Sequence, residues 1–145
     1  MKHVIVLLAA SIAIQASVAA QDSIPALPSK PEAKAKGKGS RDADVAEWEK
    51  LRANTNNVVL DVRTEAEFAS GHIPGAVHID IRSKDFAETV GKLDKSKTYL
   101  VHCASGARSA KACKQMQNQG FKETVNLLGG IVAWEEAGNK SVKDK

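Results

Sequence analysis

From residue 44 onward, apolar and polar positions switch between two rhythms. In DVAEWEKLRAN (44–54), Val45, Trp48 and Leu51 recur at helical spacing, and Asp44 with Glu47 outlines a capping box, which predicts a helix. NVVLDVR (57–63) is a β-branched run too short for a helix, which predicts a buried strand. Thr64 and Glu67 form a second capping box, opening a helix that Gly71 ends. HIPGAVHID holds a turn at Pro74–Gly75 and a short strand over Ala76–Ile79. SKDFAETVGKL predicts a helix closed by the polar turn DKSK, and TYLVH (98–102) a strand. ARSAKACKQMQNQG predicts a helix with Gly120 as its cap, TVNLL a last strand, GGIVAWEEAG a last short helix, and NKSVKDK (139–145) a flexible tail.

Strands therefore alternate with helices at short spacing and without an internal repeat. This predicts an α/β domain over 44–138, with a mostly parallel central sheet and helices on both faces. In such sheets ligands bind at the carboxyl ends of the strands, where the loop after TYLVH lies.

The first 43 residues follow a different logic. Lys2 and His3, the apolar run Val4–Ile14 and the small residues ASVAA have the layout of a secretory signal peptide over 1–20. The apolar part is short for a membrane span of about 20 residues, so cleavage and export to the periplasm or medium are expected, with no stable membrane insertion afterwards. Residues 21–43 hold three prolines, two glycines and five basic residues, which predicts a disordered basic linker.

The whole chain of 145 residues carries a net charge of +4, and losing Lys2 with the signal leaves +3. The six aromatics do not interleave with the basic run, so nucleic acid is not an expected partner. Gly37 and Gly39 lack the third glycine and preceding strand of a dinucleotide fingerprint.

The chemistry concentrates in CASGARS (103–109). Cys103 ends a strand, small residues follow, and Arg108 and Ser109 enter a helix. Gly106 lets the backbone curl, so successive N–H groups can form an anion nest beside a helix start. These groups and the Arg108 charge favour thiolate, which marks Cys103 as a nucleophile rather than a buried filler.

This loop resembles the active loop of the rhodanese-like family of sulfurtransferases. LDVRTEAEFASGHIPGAVHI (60–79) and LLGGIVAW (127–134) are similar to that family's pattern, in the same order and separation. The resemblance implies a single rhodanese domain whose Cys103 accepts a sulfur from a donor such as thiosulfate and holds it as a persulfide. A thiophilic acceptor, cyanide or a thiol, then removes it. It also implies a substrate cradle of backbone N–H groups from Ala104, Ser105, Gly106, Ala107, Arg108 and Ser109, with no metal or organic cofactor. The alternatives are persulfide or thiol redox handling, and a non-catalytic binding module of the same fold.

Loop length separates related chemistries. Four residues divide Cys103 from Arg108, whereas related phosphatases and arsenate reductases resemble a cysteine–five–arginine loop that encloses a tetrahedral oxyanion. Mercaptopyruvate-specific relatives resemble a loop with Gly after the cysteine, which CASGARS lacks.

Other candidates read as structural. Cys113, with Ala112 and Met116, suits a core face, and the intervening helix separates it too far from Cys103 for a disulfide. The resemblance implies that Asp61 and Arg63 support the architecture near the loop, and an Asp–Arg pair also suits a helix start; His102 is expected to pack. His72, His78 and Asp80 lack a fixed metal-ligand spacing. Arg82 is placed to attract an anionic donor. Gly129, Gly130 and Trp134 resemble the family's closing element, which implies close backbone approach at the glycines and core packing for Trp134.

Overall fold

The computed structural model describes residues 39–144. The signal segment 1–20 and residues 21–38 lie outside the described residues. Five strands, β1 (Gly39–Ala43), β2 (Val58–Asp61), β3 (Val77–His78), β4 (Thr98–His102) and β5 (Glu123–Leu127), form one sheet in the order β1-β5-β4-β2-β3. Every pairing in it is parallel. Among the described residues the helices are α1 (Val45–Arg52), α2 (Glu65–Ser70), α3 (Phe86–Gly91), α4 (Ala107–Asn118) and α5 (Gly130–Glu136).

Alternation along the strands divides the core in two. Leu60, Tyr99 and Val101 face one way and pack with Phe86 and Val90 of α3 and Ala112, Cys113 and Met116 of α4. Val59, Leu100, Val125 and Leu127 face the other way, against Trp48 of α1 and Ile131 and Trp134 of α5. Helices thus cover both faces of the α/β sheet.

Two boundaries differ from the sequence reading. The stretch 21–43 is not linker to its end, because Gly39–Ala43 pairs along β5 from Gly39↔Glu123 to Ala43↔Leu127. An edge strand is held through its backbone, and GSRDA buries only Ala43, so no apolar rhythm announces it. The tail is also docked within its described part. His72 and Val142 exchange backbone hydrogen bonds at 2.8 and 2.9 Å, and Asn139 Nδ2 donates to the Trp134 carbonyl.

The Thr64–Glu67 capping box forms in full, while Asp44 accepts from the Glu47 amide without a return contact. Glu47 instead binds Arg41 of β1 at 2.6 Å, a partner supplied by the unforeseen strand. Among the described residues no helix is long and apolar enough to cross a membrane.

Candidate active site

Strand β4 is central in the sheet and delivers Cys103 at its carboxyl end. Gly106 then takes φ +96°, a left-handed turn that swings the chain into α4. This turn brings the Gly106 N–H to 3.0 Å from Cys103 Sγ. The thiol lies at the floor of the loop, with the residue only 1% exposed, rather than on an open surface.

The loop is held from outside by its carbonyls. At the start of α5, the Ile131 amide donates to the Cys103 carbonyl at 2.9 Å and the Val132 amide to the Ala104 carbonyl at 3.2 Å. Those helix N–H groups have no intrahelical acceptor, so binding the loop satisfies both partners. Gly130, at φ +61°, permits the approach: a β-carbon there would overlap the Ala104 carbonyl and the Cys103 oxygen. Of the two glycines expected to allow close backbone contact, Gly130 makes it with the cysteine loop, whereas a β-carbon on Gly129 would meet Ala133 of its own helix.

Burial pushes the Cys103 thiol up, but the Ser109 hydroxyl and the amides of Ser109, Ser105 and Gly106 outweigh it and hold it below the ordinary thiol range. Of the six amides expected in the cradle, that of Gly106 makes the close hydrogen bond to the sulfur at 3.0 Å, and those of Ser105 and Ser109 also favour its anion. Arg108 does not turn a free charge on the sulfur. Its guanidinium grips Glu67 through two hydrogen bonds, at 2.7 and 2.8 Å. That grip, followed by the Thr64 contacts, holds the Glu67 carboxyl well below the usual range despite some burial. Arg82 is exposed, its amide bound to Asp80.

Beside the loop, Asp61 binds Arg63 side chain to side chain at 2.7 Å in a buried pair. Arg63 also donates to the Gly71 carbonyl. His102 is fully buried with its ring edge-on to Trp48, and burial pushes it down to about 4, so it is neutral at pH 7. His72 and His78 both stack on Phe68, so a phenyl ring stands between them. Asp80 bonds the Arg82 amide instead of joining them. Cys113 is buried and pushed up to about 11, chiefly by desolvation, which makes it an unreactive core thiol.

Sequence reasoning missed Asn126 and Asp42. Asn126 bonds Ser109 at 2.6 Å and Asp42 at 2.9 Å, linking β1, β5 and α4 next to the sulfur. A polar residue within the apolar run TVNLL was the available signal.

The sheet is thus parallel and covered on both faces, and it presents Cys103 in an amide-lined loop at the carboxyl end of a central strand. The family model for the rhodanese-like domain matches residues 44–137, and the chain belongs to that family. YtwF of Bacillus subtilis, which carries a sulfurtransferase name, is 48% identical over 60% of this chain and 82% of its own. A sulfurtransferase of Allochromatium vinosum is 38% identical over 59% and 79%. The thiosulfate sulfurtransferase GlpE of Coxiella burnetii is 33% identical over 61% and 79%. Among solved structures, a rhodanese-related protein of Thermoplasma volcanium superposes with a TM-score of 0.64 at 31% identity, covering 72% of this chain and 99% of its own. These relatives support sulfur transfer as the chain's general activity.

Proposed function

We propose that the chain is a thiosulfate-type sulfurtransferase that carries sulfur as a persulfide on Cys103. The reading rests on the Gly106 amide aimed at Cys103 Sγ at 3.0 Å, in a loop whose carbonyls are tied away. The ionised sulfur attacks the outer sulfur of thiosulfate, the S–S bond breaks, and sulfite leaves with the bonding electron pair. A thiophilic acceptor, cyanide or a thiolate, then takes the outer sulfur, and Cys103 departs as thiolate. Loop amides suit whichever sulfur bears the charge, so the electrostatics are built in before reaction. The thiosulfate activity in the name of the Coxiella burnetii relative favours thiosulfate over other donors.

Mass spectrometry after thiosulfate treatment tests this reading. The expected result is a gain of one sulfur on Cys103, thiocyanate when cyanide follows, and loss of both in Cys103→Ser with the fold retained. Wild-type protein that gains no sulfur overturns it. The charge and apolar pattern of residues 2–20 further supports export to the periplasm or medium. The intact mass of protein isolated from cells reports whether that segment is removed.

A further inference from the structure

Asn126 is a polar side chain inside strand β5, only 3% exposed. Its Nδ2 donates to Asp42 Oδ1 at 2.9 Å, across the register pair that β1 and β5 form. A carboxylate oxygen only accepts, so this contact fixes the amide and turns its Oδ1 toward α4. There Oδ1 lies 2.6 Å from Ser109 Oγ. An amide oxygen also only accepts, so this short contact takes the hydroxyl proton. Ser109 Oγ is meanwhile 3.4 Å from Cys103 Sγ and 3.1 Å from the Gly106 carbonyl. One proton faces three acceptors, and Asn126 is the nearest.

We propose that Asn126, anchored by Asp42, is a positioning residue for Cys103: it competes with the sulfur for the single Ser109 proton and so sets how strongly the hydroxyl supports the sulfur anion. This rests on Cys103 being the reacting sulfur. While Sγ is a thiol, the hydroxyl gives its proton to Asn126 and can accept from the S–H; beneath an outer sulfur Sγ has no proton, and the hydroxyl stays on Asn126. Each time the outer sulfur departs, Sγ becomes an anion and draws the hydroxyl toward itself, against the hold of Asn126. The competition keeps the thiolate from being stabilised so far that its nucleophilicity falls.

The other charged or titratable groups around Cys103 are Arg108 with Glu67 and Asp80 on the α4 side, and neutral His102 with the Asp61–Arg63 pair on the strand side. The variants below leave all of these in place.

The test is a titration of the Cys103 thiolate by its ultraviolet absorbance, taken as the difference from Cys103→Ser, across a double-mutant cycle. Asn126→Leu is expected to lower the midpoint by about one pH unit, because the freed hydroxyl then serves the sulfur. Ser109→Ala is expected to raise it, and adding Asn126→Leu to Ser109→Ala to leave it where Ser109→Ala put it. Asp42→Ala releases the amide to turn its Nδ2 toward Ser109, and should reproduce the downward shift only when Ser109 is present. Asp42 is exposed, so that cycle stays readable if Asn126→Leu fails to fold. An equal shift with and without Ser109, or no shift in either cycle, overturns the proposal. So does a Ser109→Ala midpoint equal to wild type, since the hydroxyl would then give the sulfur nothing to compete for. The titration uses no sulfur donor. Its failure is therefore distinct from wild-type protein failing to gain sulfur, which would sink the functional reading instead.

Discussion

The Ile131 amide donates to the Cys103 carbonyl at 2.9 Å, so the helix after the last strand holds the cysteine loop by its oxygens. With Val132 on the Ala104 carbonyl, this leaves the loop N–H groups to turn inward on the sulfur. The nest at Cys103 is therefore made by two segments distant in sequence. The cysteine loop supplies the donors, and the Gly129–Gly130 turn supplies the restraint.

Gly130→Ala should uncouple these two parts. The new methyl meets the Ala104 and Cys103 carbonyls, which are backbone and cannot swing aside. Displacing the loop by a fraction of an ångström should cost on the order of a hundredfold in sulfur-transfer rate. Gly75→Ala is the control, at φ +81° with nothing within 4 Å. It should cost about 1–2 kcal/mol in a denaturant melt and leave the rate unchanged.

The Arg108–Glu67 pair makes a charge prediction. As found, each neutralises the other, and attraction of an anionic donor falls to the loop amides. Arg108→Ala leaves the Glu67 carboxylate unpaired near the pocket, where it repels a dianion. KM for thiosulfate should rise by about tenfold at low salt and less at high salt. Adding Glu67→Gln should restore most of the loss. Steady-state kinetics of the two single variants and the double variant check this.

His102 predicts an acid-sensitive fold. Burial, the largest influence, disfavours its imidazolium and pushes it down to about 4, against 6.5 for the free side chain. Between those values the unfolded chain binds the proton and the folded chain does not, so stability falls as pH falls. The loss should begin near pH 6.5, reach roughly 3 kcal/mol by pH 4 and then level off. Glu67, whose folded value is lowered, adds a separate loss only below about 4.5. Urea melts of His102→Gln should lack the slope between pH 6.5 and 4.5, whatever its stability at neutral pH.

What the sequence made legible was whatever lies close along the chain. The alternation of apolar rhythms placed β2, β4, β5 and the helices between them. The strand–Cys–small loop–Arg–helix order placed the sulfur, because a parallel strand must end where its helix begins. The partners of these residues were hidden by distance. Glu67 binds Arg108 across 41 positions, and Asp42 meets Asn126 across 84. Strand β1 was hidden for another reason: its contribution comes from backbone groups, and its side chains Ser40, Arg41 and Asp42 look like linker.

That strand lies outside the family match, which begins at residue 44, and its worth can be measured directly. A chain beginning at residue 44 loses the β1–β5 ladder, including the Leu128 amide on the Ala43 carbonyl at 2.9 Å and the Gly39 amide on the Lys122 carbonyl at 3.1 Å. It also loses Ala43, which is buried against the Trp48–Trp134 side of the core. With each ladder bond contributing about 1 kcal/mol net, the chain from 44 should be less stable than one from 39 by about 3 kcal/mol. It should also associate more readily, because β5 becomes an uncovered edge. The truncation removes Asp42 as well, so its Cys103 thiolate midpoint should fall as in Asp42→Ala. Equal melting of the two chains would mean that β1 rests on the sheet without supporting it.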